Sequence, residues 1–357
     1  MLARDPTGSF KTYANHLRAF ATIVGGNERD RAGALNRTLN RICSSRFLPE
    51  AICSKADLRQ VRASLQNAWG TELLLVMSKR FLGSEEMISL SNNWSVVQAY
   101  YVLYHVTQAI AVAKGFPRPD SHPKTQKQFY NLFANRGPGL EPWTMAFGHD
   151  GPRNIPPGVQ LDDSMHSWSA CNSDSCWSLA FKSLRTARED TMPEQEKNAR
   201  EQKRSRQRRL WREEERNRCL AGRKPRMEPT FQLPRLTSSE KEEVNRNHRP
   251  FTLIDFLYRL RMRTNYEDSA MFTDGPEQPG QSEVVRDDLW ELVATSLLVA
   301  ELHVRQLVGA AAFDSWVQEW VNVNARFTPP IGVAERISLH NPPLNIQTQE
   351  VSQIAPA

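Results

Sequence analysis

The chain has 357 residues, 46 Lys plus Arg against 40 Asp plus Glu, a net charge of +6 and five cysteines. That length holds one large domain or two ordinary ones. It carries no run of eighteen apolar residues, and MLARDPTGSFK lacks the apolar core of a secretion signal, which argues against a membrane partner.

The cysteines (Cys43, Cys53, Cys171, Cys176, Cys219) show no disulfide rhythm, so a reducing compartment and a cytoplasmic protein are expected. The charge is unevenly spread. Lys197 to Arg226 holds thirteen Lys plus Arg against four Glu, a net +9, which leaves the rest of the chain at −3. An anionic partner is expected at that segment.

Taken in order, residues 1–55 read as a lead-in of two short helices, Thr12 to Val24 and Arg29 to Ile42, separated by Gly25-Gly26. Neither is long enough to stand alone. Ala56 to Leu82 is a clearer helix: Leu58, Val61, Leu65, Trp69, Leu73 and Val76 step by three or four, with Ser54 as the expected cap and Gly83 as the stop. Ser95 to Gly115 follows, with Asn92 or Asn93 as cap and Gly115 with Pro117 as stop. Val96, Leu103, Val106, Ile110 and Val112 widen its apolar face, while Gln98, His105 and Gln108 make it too mixed for a membrane span. It reads as the central helix of a bundle.

PRPDSHP (117–123) is a rigid loop, and Lys124 to Ala134 is a short helix with Phe129, Leu132 and Phe133 inward. From Arg136 to about Ser175, ten residues are Pro or Gly, with Trp143, Phe147 and Trp168 among them. This stretch is too long for a simple loop and too aromatic for a linker, so an irregular inserted layer is expected. Trp177 to Glu189 reads as a helix. Thr191-Met-Pro-Glu194 then reads as a capping box that opens a separate basic helix, 191–221, with only Leu210, Trp211 and Leu220 as large apolar residues.

Thr237 to Glu240 caps a short charged helix; 251–263, 282–309 and 313–323 return to core character. Pro329 onward carries five prolines and no periodicity, and 326–357 is expected to be extended or disordered. Strand signals are weak throughout.

The order and texture of these helices resemble the HEPN domains of prokaryotes, small antiparallel helical bundles. Ala99-Tyr-Tyr-Val-Leu-Tyr-His105 looks like that family's aromatic helix. Lys114-Gly115 with Ser121-His122 looks like its following loop, and Phe129 or Phe133 like the Phe that comes next. Leu260-Arg-Met-Arg-Thr-Asn-Tyr-Glu-Asp268 looks like its later helix end. The resemblance implies a mostly α protein: a discontinuous HEPN-like bundle over 56–135 and 245–325, carrying a 136–244 insertion with the basic helix.

Family ribonucleases pair an Arg with a His four to six residues away on one helix. No His follows Arg263 at that spacing. Members without the pair serve as RNA- or nucleotide-binding, dimerising or partner modules, many in toxin–antitoxin or phage-defence systems. The implied partners are therefore RNA, a second copy through the bundle, or another protein, with no cofactor.

Three residues stand out as catalytic candidates in a metal-independent cleavage that uses the 2′-hydroxyl: Arg263 for phosphate contact, Asn265 for orientation and His122 for proton transfer. Each also has a structural reading. Arg263 suits a helix C-terminus, Asn265 a left-handed cap, and His122 a Pro-flanked helix start. His105 and the tyrosines 100, 101 and 104 read as core.

For nucleic acid, Arg204, Arg206, Arg208, Arg209 and Arg212 cluster, and Trp211 can stack on a base. The competing reading is a solvated helix in which Glu213, Glu214 and Glu215 pair with Arg209, Arg216 and Arg218. Cys171 and Cys176 near His166 do not have zinc-site spacing, so no metal is expected.

Overall fold

The computed structural model describes residues 5–26, 30–45, 47–48, 51–81, 83–167, 169–324 and 332–340. Among them are eleven α-helices and one two-stranded hairpin. They are α1 (Pro6–Gly25), α2 (Arg31–Ser44), α3 (Leu58–Phe81), α4 (Glu85–Ala113), α5 (His122–Leu132), β1 (Ala146–Gly148), β2 (Gly151–Arg153), α6 (Cys176–Leu220), α7 (Ser238–Asn247), α8 (Leu253–Met262), α9 (Gln281–Val308), α10 (Ala310–Asn324) and α11 (Val333–Arg336). The fold is mostly helical, as the sequence implies.

The core is built on α4 and α9. α3, α5, α8 and α9 pack around α4; α1, α2, α3 and α10 pack around α9. α4 is the one helix among the described residues long and apolar enough to cross a membrane, and most of that stretch is buried inside the bundle. It begins ten residues before the expected start. Ser84 is its cap, accepting from the Met87 N–H, and Glu85 and Glu86 complement the dipole. The two asparagines expected to cap it are interior and serve tertiary contacts instead: Asn92 donates to the Ser282 carbonyl and Asn93 to that of Ser269. The stop falls where expected. Gly115 (φ +77°) ends the helix in a Schellman turn, Phe116 N–H to Ala111 O and Gly115 N–H to Val112 O.

Other expectations are corrected. Asp57, not Ser54, caps α3, accepting from the Arg59 and Gln60 N–H groups. The lead-in is part of the core: Phe10, Leu17, Phe20 and Ile23 of α1 are buried, against α6 and α9. Thr191 does not open a new helix, because α6 runs unbroken through Pro193. A proline removes the bond to the carbonyl four residues back, here Glu189, which sits on the exposed side where water can replace it.

The 136–175 stretch is irregular, as expected, but it is built into the core. Leu140, Trp143 and Met145 are buried, Trp143 donates to the Ser296 hydroxyl, and Phe147 pairs its backbone with Phe251. Trp168 lies outside the described residues.

The expected disordered tail is also corrected in part. Residues 332–340 form α11 and a 3₁₀ turn that carry Arg336 and His340 into the interior. Arg336 donates from Nη1 and Nη2 to Glu72 and from Nε and Nη2 to Glu301, at 2.5–3.0 Å. His340 and the Trp69 indole also reach Glu301. Burial alone would raise Glu301; Arg336, with the His340 and Arg336 hydrogen bonds, instead holds its carboxyl well below the usual carboxylate range. Residues 325–331 and 341–357, the rest of the expected tail, lie outside the described residues.

Gly275 has no room for a side chain: a methyl there would meet the Met271 and Pro6 carbonyl oxygens and Phe10. Gly275→Ala is expected to cost about 1–3 kcal/mol, read as a lower denaturant midpoint.

Glu291 is buried on α9 beside Asp288, and its carboxyl is pushed up to about 7, by burial first and by Asp288 second. A carboxyl raised in the folded state favours folding while protonated. Stability should therefore fall by about 3 kcal/mol as pH rises from 4.5 to 7, then level off. Glu291→Gln should flatten that part of the pH–stability curve. Parallel curves for the two proteins would contradict the assignment.

Candidate nucleic-acid interface and a tyrosine-lined imidazole site

α8 is set by its N-terminus. Thr252 and Asp255 form a capping box, and Arg249 donates to Asp255 at 2.8 Å. From there the helix periodicity puts Tyr258 and Arg261 on one face and Arg259 and Arg263 on another.

The second face is an ion cluster. Arg259 reaches Glu267 at 2.6 Å and Asp190 of α6 at 3.3 Å. Arg263 donates to the Tyr13 hydroxyl at 2.5 Å, lies 5.0 Å from that ring's centroid, and approaches Asp190 and Glu267 at 3.9 Å. These contacts tie α1, α6 and α8 together. Asn265 lies half-buried in the π turn Arg263–Glu267 that closes α8, closed by the Asp268 N–H bonding to the Arg263 carbonyl. Tyr266 is exposed.

His122 belongs to the first face. It is the first residue of α5, after Ser121 and before Pro123. The preceding loop is pinned by Gln108, which donates to the Pro119 carbonyl and accepts from Arg118. The His122 Nδ1 shares a 2.6 Å hydrogen bond with the Tyr100 hydroxyl, and its ring lies 5.2–5.5 Å from those of Tyr100, Tyr104 and Tyr258. Burial, then Arg261, lower its pKa, so the imidazole is neutral at physiological pH. Burial, with smaller contributions from neighbouring groups, raises Tyr100 far above the usual phenol range, so its hydroxyl stays protonated.

Three sequence candidates thus fall in two places. Arg263 has Tyr13, Asp190 and Glu267 as neighbours; His122 has tyrosines and Arg261. The residue the sequence reading missed is Arg261. It sits inside the quoted motif, three residues from Tyr258, and that spacing is the signal that could have marked it. His105 stacks at 27° on Tyr101, and burial lowers its pKa.

The basic segment forms the distal part of α6. Forty-five residues make a rod of about 67 Å. Its first three turns are anchored by Leu179, Phe181 and Leu184; from Thr191 onward Glu215 alone is buried. The 223–236 segment returns along it. Glu215 accepts from the Arg226 N–H and Nε, Arg212 reaches Glu228 at 3.5 Å, Arg208 lies 5.9 Å from the Phe231 centroid, and Arg200 donates to the Pro234 carbonyl.

Of the three glutamates in the competing intrahelical pairing, Glu215 turns to Arg226 on the returning segment. Among the described residues, Arg204, Arg206 and Arg209 have no carboxylate at ion-pair distance. Arg206, Arg208, Arg209 and Arg212 are exposed, and Arg204 and Trp211 are half-buried. Beside them, α6 and α7 line a groove of about 600 Å³ with Gln195, Asn198, Gln202, Lys203 and Arg206 on one side and Glu240 and Glu243 on the other, Lys203 pairing with Glu240 at 2.6 Å.

Among the described residues no group of three His, Cys, Asp or Glu side chains is placed to hold a metal ion, and all five cysteines are free thiols. Comparison with family models, with curated proteins and with solved structures finds no match.

Proposed function

We propose that this chain is an RNA- or nucleotide-binding protein that grips its ligand with the distal arm of α6. The observation that carries this reading is the row of exposed arginines, of which Arg206 and Arg209 have no carboxylate at ion-pair distance among the described residues, next to a groove lined by side-chain amides on the α6 side and by Glu240 and Glu243 on the α7 side. Guanidinium forks suit phosphates, amides suit base edges, and Trp211 offers a stacking face. The HEPN-like motifs around Tyr100, His122 and Arg263 support placing it among prokaryotic stress and phage-defence proteins, in the cytoplasm.

The test is anisotropy of labelled single-stranded RNA between 50 and 200 mM salt, where arm binding should weaken steeply. Loss of all RNA binding at 50 mM would end the reading. Endoribonuclease activity is its stronger form, supported by a neutral imidazole at His122. It predicts cleavage in EDTA that His122→Asn abolishes; uncut RNA under those conditions restricts the chain to binding.

A second reading is an interaction subunit that pairs with another copy. Met87, Leu90 and Trp94 are exposed at helical spacing on α4, and Leu74 is exposed on α3, which packs against α4. It predicts a dimer that Trp94→Lys dissociates; a monomer at all concentrations would remove it.

A further inference from the structure

Three arginines at the end of α8 share one stretch of chain, and two of them are neutralised. Arg259 and Arg263 approach Asp190 and Glu267. Arg261, between them, has no carboxylate at ion-pair distance among the described residues. Its guanidinium carbon instead lies 5.6, 5.3 and 5.8 Å from the ring centroids of Tyr100, Tyr101 and Tyr258. Its Nε is sealed from solvent without a hydrogen bond, whereas its terminal nitrogens are not sealed. A cation taken partly out of water costs free energy unless a partner repays it, and the tyrosine faces repay only part.

His122 packs against the same Tyr100 and Tyr258 rings. Its Nδ1 is taken by Tyr100, and its Nε2 is open, with no protein hydrogen bond among the described residues. Tyr101 and Tyr104 are half-buried, each presenting part of a ring to solvent. One fork-shaped cation, one free imidazole nitrogen and two partly open aromatic faces therefore converge on one surface.

We propose that Arg261 and His122 bind the phosphate of a nucleotide whose base lies on Tyr101 or Tyr104. This rests on the nucleotide-binding reading above only for the choice of ligand, and the site is separate from the α6 arm. The guanidinium offers a bidentate fork to two phosphate oxygens, His122 Nε2 adds a donor when protonated, and a base can stack on a tyrosine ring. The charged and titratable groups around this cluster include Arg261, His122, the four tyrosines (Tyr100, Tyr101, Tyr104, Tyr258), His105 against Tyr101 and Tyr104, Arg259 on α8, Glu194 of α6 and Asp255, the last already held by Arg249.

The test uses the full chain and AMP, adenosine, inorganic phosphate, and one oligonucleotide with and without a 5′-phosphate. AMP should bind at least about tenfold more tightly than adenosine, and Arg261→Met should remove about that factor, with Arg261→Lys in between. In the unmodified protein, AMP should raise the His122 imidazole pKa, read by NMR, by about one unit, because the phosphate offsets Arg261. That measurement needs no variant and survives any folding defect of Arg261→Met. A response to the 5′-phosphorylated oligonucleotide but not to AMP would assign the same site to an RNA end.

The His122 imidazole reports this site alone and RNA anisotropy reports the arm, so failure of the arm and failure of this site are separable. Equal affinity for AMP and adenosine, or an unmoved His122 with millimolar AMP and with either oligonucleotide, would overturn the proposal.

Discussion

Arg336→Ala is expected to destabilise the protein by about 3–5 kcal/mol, the largest single-residue effect in the fold. The substitution leaves Glu72 and Glu301 in the interior, 1% and 0% exposed, with their shared counter-charge gone. Two carboxylates in one dry site repel, and neither can reach water. Glu301 keeps the Trp69 indole and His340; Glu72, already raised by burial, takes up a proton. His340→Ala should cost less, about 1–2 kcal/mol, because it removes one hydrogen bond and no bidentate charge. Urea midpoints measure both. Equal, small effects from the two variants would mean that 332–340 does not hold the position described.

The second large effect concerns the arm. Replacing Arg206, Arg208, Arg209 and Arg212 together by Gln should leave the melting temperature nearly unchanged, because all four are exposed. RNA affinity at about 50 mM salt should fall by about a hundredfold. The slope of log K against log salt should become shallower by about three, since each lost contact to a single strand releases about 0.7 fewer counterions. A shallower slope with unchanged stability separates a binding role from a structural one. If slope and affinity both stay as they were, the arm is not the interface.

The helical core was legible because it depends on local chemistry. α4 has an apolar interior free of Pro and Gly, and Gly115 supplies a left-handed stop that only a glycine takes easily. Its start was misread because Asn92 and Asn93 are good caps in isolation; a partner far along the chain uses them differently. Thr191 misled for a similar reason. A capping box followed by Pro describes a helix start, but an exposed turn tolerates the same residues inside a helix.

The 332–340 segment was illegible. It has no periodicity, and its place is set by carboxylates on α3 and α9 that no local pattern reveals. At the tyrosine-lined site His122 was legible as a titratable group in a Pro-flanked loop. Its neighbour Arg261 was not, because the pairing exists only once α4, α5 and α8 are packed. Arg263 drew attention through its motif, and the structure assigns it a bond to Tyr13 beside two carboxylates.

Ultraviolet cross-linking of the full chain to single-stranded RNA, with the attached peptides mapped by mass spectrometry, tests whether the α6 arm is the interface. Cross-linked peptides are expected from 195–216, with Trp211 among the modified residues. Cross-links confined to α1–α5 or α9, with none between 191 and 248, would contradict that assignment.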